Sequence, residues 1–153
     1  MDAEKGQELL SAGIAHYRAG RWMDAVRSLG LARRLCPHDG DVCYHLGLAC
    51  AAAGDYAGAL AAYARAVRLR PDDAYAHNRM GFALQKLGRF EEALARYRLA
   101  RDLNPCYPWP LFNIGHLYHG LGLRAEAMAA FARFTTLEAA GAGRPRRGEL
   151  SRG

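Results

Sequence analysis

The residues best suited to chemistry are six histidines and four cysteines, and their spacing decides how much chemistry they could do. His116 and His119 stand one turn apart on what reads as one helix face, so both imidazoles could meet one metal ion. A metal site takes three or four ligands, and neither Asp, Glu nor Cys accompanies them on that segment. Cys36, Cys43, Cys50 and Cys106 form no CxxC pair. Cys43 and Cys50 fall two helical turns apart in an apolar stretch, which reads as buried thiols in a reducing compartment ahead of disulfides or metal ligation. His16 and His77 occupy positions expected to pack inward as hydrogen-bonded core histidines. No Ser, Cys or His lies in a nucleophile motif, and no glycine-rich phosphate loop follows a strand. The expectation is a chain that is not an enzyme, with no catalytic residue, metal or cofactor.

Composition narrows the class further. A chain of 153 residues, half of them apolar, is one domain's length with enough material for a core. No apolar run approaches the roughly 18 residues of a membrane span, and the start, MDAEKGQELLSAG, lacks the layout of a secretory signal. A soluble, cytoplasmic protein is expected. Half of the +6 net charge sits in residues 141–153, GAGRPRRGELSRG, where Arg144, Arg146, Arg147 and Arg152 face only Glu149. That composition predicts a disordered basic tail. Such a tail could touch nucleic acid or an acidic membrane, but without interleaved aromatics a solubilising role is favoured and nucleic acid is not expected as a partner.

The elements that must position these residues emerge when the chain is laid on itself. Pro37, Pro71 and Pro105 are 34 residues apart, as are Gly13, Gly47, Gly81 and Gly115. Gly20, Gly54, Gly88 and Gly122 keep the same interval, and so do Ala25, Ala59, Ala93 and Ala127. Leu29, Tyr63, Tyr97 and Phe131 follow four residues on. Ala32, Ala66 and Ala100 come next, and Phe134 breaks the series. The pattern predicts helices near residues 6–19, 22–36, 40–53, 56–70, 74–87, 90–104, 108–121 and 124–139. The first glycine and the alanines let two antiparallel helices approach closely. The second glycine sits where the first helix of each pair must reverse, and the proline follows the second helix.

These coincident positions resemble the tetratricopeptide repeat family over about residues 6–139, in units of about 6–39, 40–73, 74–107 and 108–140. The resemblance implies an all-α fold, a right-handed superhelical solenoid of four helix pairs, whose concave face holds a peptide or protein partner. It places the groove on the first helix of each unit, with Tyr17 from the first, Tyr44 and His45 from the second, Tyr75, Asn78, Arg79 and Phe82 from the third, and Trp109, Phe112, Asn113, His116 and His119 from the fourth. Aromatic area with a few cations and amides is what peptide anchoring wants. The Lys and Asn clamp of members that bind chaperone C termini is not reproduced, since those places read Leu10, Ile14, His45, Tyr75 and Arg79. A ligand more apolar than such a tail is expected. The course of the first two units is also similar to the cytoplasmic chaperones of type III secretion translocators. Finally, Met128, Phe131, Phe134 and Leu137 form an apolar stripe on the last helix, so either Phe134 folds inward to plug the core or helix 124–139 pairs with its own copy in a homodimer.

Overall fold

The computed structural model describes residues 1–141, and the expected basic tail beyond them lies outside the described residues. Eight helices follow in order: α1 (Asp2–Arg18), α2 (Trp22–Leu35), α3 (Gly40–Ala52), α4 (Tyr56–Leu69), α5 (Ala74–Lys86), α6 (Phe90–Leu103), α7 (Trp109–Gly120) and α8 (Arg124–Ala139). No strand occurs among the described residues. The helices form two compact units, one ending at Asp72 and one beginning at Asp73. Each unit holds two antiparallel pairs: α1 with α2 and α3 with α4 in the first, α5 with α6 and α7 with α8 in the second.

The reversal inside each pair has one chemical solution. Gly20, Gly54, Gly88 and Gly122 all take positive φ, between 74° and 83°. That left-handed turn lets the next amide reach back five residues, as Arg21 N–H does to the His16 carbonyl (2.9 Å) and Arg89 N–H to the Leu84 carbonyl (2.9 Å). The last carbonyls of the first helix are satisfied before the chain reverses.

Close approach of the paired helices depends on the other glycine series. A methyl group added to Gly81 would lie 2.7 Å from the Tyr97 ring and 3.2 Å from the Ala93 carbonyl, and one on Gly115 would lie 2.6 Å from the Phe131 ring. Gly13 and Gly47 are filled in the same way by Leu29 and Tyr63. Leu29, Tyr63 and Tyr97 are fully buried, whereas Phe131, in the last pair, is only half-buried. Burying such a side chain contributes on the order of 2 to 3 kcal/mol.

The helix entrances differ. Asp39 caps α3 by accepting from Asp41 and Val42 amides, and Asp73 caps α5 by accepting from Tyr75 and Ala76 amides. At the equivalent place before α7 stands Tyr107, followed by Pro108 and Pro110. The prolines bring no N–H at two of the positions where a cap would otherwise be needed.

Three details depart from, or sharpen, the sequence reading. The first helix begins at Asp2, a turn earlier than the repeat pattern suggests. His16 is not a core histidine: it is half-exposed, and its Nδ1 accepts from Arg21 Nε at 3.1 Å. Its register equivalents Cys50 and Leu84 are buried, whereas Tyr118, the equivalent on α7, is half-buried like His16. Phe134 turns toward α7, half-buried, with its ring 5.5 Å from Trp109 and 5.1 Å from Phe112.

Candidate functional site

The residues assigned to a ligand-binding face fall in both compact units, and each set stands on its own. In the first unit Tyr17, Tyr44 and His45 are half-buried. Tyr17 packs against Trp22 at 5.2 Å. Tyr44 lies between the His45 ring at 5.5 Å and the Tyr63 ring at 6.1 Å, while His45 Nδ1 donates to the Asp41 carbonyl at 2.8 Å. The helices that carry these residues, α1 and α3, also bear Asp2, Glu4, Glu8 and Asp41. Asp41 is paired with Arg70 at 2.8 Å on the wall of a shallow depression of about 530 Å³ that Cys36, His38 and Asp39 also line.

The second unit has a different character. Tyr75 and Phe82 on α5, and Trp109 and Phe112 on α7, are half-buried. Lys86 sits over the Phe82 ring, 5.3 Å from its centroid, a cation–π arrangement. Arg79 is half-buried on the same helix, and His116 and His119 are exposed on α7. Neither α5 nor α7 contains a single Asp or Glu. The face is therefore aromatic, amide-bearing and cationic.

Two groups of the assigned residues are brought together here. Phe112 meets His116 at 4.5 Å and Trp109 at 5.4 Å, and both Phe131 and Phe134 of α8 close on this cluster. Asn78 and Asn113 form the other group, but not as surface hydrogen-bonders side by side. Asn78 is 4% exposed; its Nδ2 donates to Tyr107 Oη at 3.1 Å, and its Oδ1 accepts from Asn113 Nδ2 at 3.0 Å. Asn78 thus holds the loop before α7 and α7 itself onto α5, and only half-buried Asn113 is left near the surface. This corrects the placing of Asn78 in the groove lining. Tyr107, Phe131 and Phe134, which the sequence reading does not assign to this face, pack against its residues, Tyr107 standing where the period would place an aspartate.

Burial governs the remaining titratable groups. Burial pushes the Cys43 and Cys50 thiols above their ordinary range, which suppresses the reactive thiolate. The buried Tyr97 phenol is likewise held well above its usual value and donates to Gln85 Oε1 at 2.8 Å. His77 is buried as expected, with Arg96 Nη1 3.4 Å from its Nδ1. Among the described residues no three His, Cys, Asp or Glu side chains gather closely enough to hold a metal ion. None of the helices described is long and apolar enough to cross a membrane.

Family models for the TPR repeat match residues 47–88 and 86–122, and a tetratricopeptide repeat model matches 110–140. No curated protein matches the chain by sequence. Among solved structures, MamA is 27% identical over 90% of this chain and 80% of its own, with a TM-score of 0.83. YrrB, described as a TPR protein with an unusual peptide-binding site, is 22% identical over 88% of this chain and 69% of its own, with a TM-score of 0.79. The first TPR of Spaghetti (RPAP3), bound to the HSP90 peptide SRMEEVD, is 20% identical over 80% of this chain and 97% of its own, with a TM-score of 0.75.

Proposed function

The chain belongs to the tetratricopeptide repeat family, and on that footing we propose that it is a non-enzymatic, cytoplasmic interaction module that holds an extended peptide segment of a partner protein. The observation that carries this reading is the α5 and α7 surface of the second unit, where Tyr75, Phe82, Trp109 and Phe112 stay half-exposed beside Arg79, Lys86 and Asn113 with no carboxylate on either helix. Large aromatics offer much contact area for little rotamer entropy, and Asn113 can bond a peptide main chain. That YrrB and the Spaghetti domain are described with peptide sites supports the same use of the fold. In a narrower form of this reading the occupant is an apolar segment of a secretion substrate, as for the translocator chaperones that the first two units resemble.

A displayed library of random peptides, selected against the wild type and then measured as synthetic peptides, tests the reading. Each anchor that fills a pocket should contribute about 1 to 3 kcal/mol of binding, so Tyr75→Ala, Phe82→Ala and Phe112→Ala together should abolish it while helicity by circular dichroism persists. Selected peptides that bind the triple variant unchanged would overturn it. Selection of apolar rather than acidic sequences would favour the secretion-substrate form.

A further inference from the structure

The second helix of the first pair carries an outer side unlike that of the others. On α2 the buried residues Ala25, Leu29 and Ala32 mark the inner side. Met23, Arg27, Leu31 and Arg34 follow one another on the opposite side at helical spacing, a stripe about 16 Å long at about 1.5 Å per residue. Met23 is 68% and Leu31 44% exposed, and both arginines are exposed as well. Asp24, the single acidic residue of α2, is half-buried beside the stripe and reaches Arg27 at 3.8 Å. Gly30 lies in the middle of the stripe, where an added methyl group would meet nothing within 4 Å. No internal contact requires a glycine there, and glycine weakens a helix.

The same four places of the register read Ala57, Ala61, Arg65 and Arg68 on α4, Glu91, Ala95, Leu99 and Asp102 on α6, and Ala125, Ala129, Arg133 and Thr136 on α8. Of these helices α2 alone alternates long apolar side chains with cations. Its companion α4, in the same unit, adds cations and contains no Asp or Glu. Arg33 of α2 and Arg65 and Arg68 of α4 all act on the buried Cys43 thiol, so the last turns of the two helices bring their cations together around α3. Arg33, Arg34 and Arg68 are exposed and make no ion pair among the described residues. The helix dipole favours these three, each in a last turn, but gives no reason for Met23 and Leu31 to stand in water between cations.

We propose that the outer side of α2, with the cations of α4 beside it, docks on an anionic lipid membrane. Met23 and Leu31 enter the headgroup layer, while Arg27 and Arg34 lay their stems along them and carry their guanidinium groups to lipid phosphates. Gly30 lets headgroups approach the helix backbone between these anchors. The helix lies on the membrane and does not cross it. A nucleic-acid backbone would engage the cations alone, because Met23 and Leu31 gain nothing against phosphates; a lipid surface engages both. The contact uses no residue of α5 or α7 and is independent of the peptide reading.

Co-sedimentation of the full chain with vesicles tests the proposal, using phosphatidylcholine alone and phosphatidylcholine with about one third phosphatidylglycerol. The wild type should bind the anionic vesicles and not the zwitterionic ones, and binding should fall as salt is raised from about 50 to 500 mM. Arg27→Gln with Arg34→Gln should weaken binding by about twentyfold, near fivefold for each cation lost. Met23→Ser with Leu31→Ser should weaken it by about tenfold, with circular dichroism and thermal melting like those of the wild type. A wild type that ignores anionic vesicles, or binds both kinds equally, would overturn the proposal. So would an Arg27 and Arg34 variant that binds as the wild type does, since the contact would then lie elsewhere, as on the basic residues 141–153. Full binding by the Met23 and Leu31 variant would overturn it as well, because the surface would then respond to charge alone, as for a nucleic acid.

Discussion

The entrance to α3 in the first unit and the entrance to α7 in the second occupy the same place in the 34-residue register, yet they are built from different chemistry. Asp39 at the first satisfies two otherwise orphaned amides of α3, and its other oxygen accepts from Gln7 Nε2 at 2.9 Å. Tyr107 at the second caps nothing. Pro108 and Pro110 reduce the need for a cap, and the phenol is turned instead onto Asn78, its ring tilted against Tyr75 at 4.5 Å. One local hydrogen-bonded cap has been exchanged for a network that reaches across three elements and ends at Asn113. The lesson is that the repeat frame tolerates variation at its joints, and that here the variation fixes side chains of the candidate binding face.

If the frame is what permits such exchange, damage to the frame should outweigh damage to either joint. Gly81→Leu would drive a branched side chain into the Tyr97 ring and the Ala93 carbonyl, and should cost about 3 kcal/mol by overpacking. Gly120→Leu, at a helical glycine with nothing within 4 Å of an added methyl, should stay close to wild type in thermal melts. Equal loss in the two variants would refute the helix-pair contact as the common frame. Next in size comes Asn78→Leu, which leaves the Tyr107 hydroxyl and Asn113 amide without their shared partner in a site with little water, a loss of about 2 kcal/mol. Asp39→Ala, which removes a single cap, should cost about 1 kcal/mol. Chemical denaturation of both variants orders them. An Asn78→Leu protein as stable as Asp39→Ala would mean that the network at α7 does no more than a cap does.

Much of this was legible in the sequence, and what was not has identifiable causes. Helix limits followed from glycines and prolines whose backbone preferences hold wherever they stand, so the ends of α2 to α8 fall within a residue or two of the expected positions. Burial is a property of neighbours, and the register alone does not supply it. Asn78 occupies a place that faces outward in the family scheme, but Tyr107 and Asn113 close over it. His16 shares its register with buried Cys50 and Leu84 and still stands half-exposed, its ring turned to Arg21. Phe134 broke a series of alanines, a signal that something unusual happens on α8; its packing against Trp109 and Phe112 needed the coordinates.

Within each unit every helix touches only helices one or two places along the chain. Contacts so near in sequence mean that little loop entropy is spent before they form, which places such a fold among the fast ones. During synthesis at about 5 to 20 residues per second, a helix pair can close within seconds of leaving the ribosome, with its glycine contact and its left-handed turn already complete. No strand among the described residues has to wait for a distant partner, and the apolar sides of α2 and α6 are exposed only until α3 and α7 arrive.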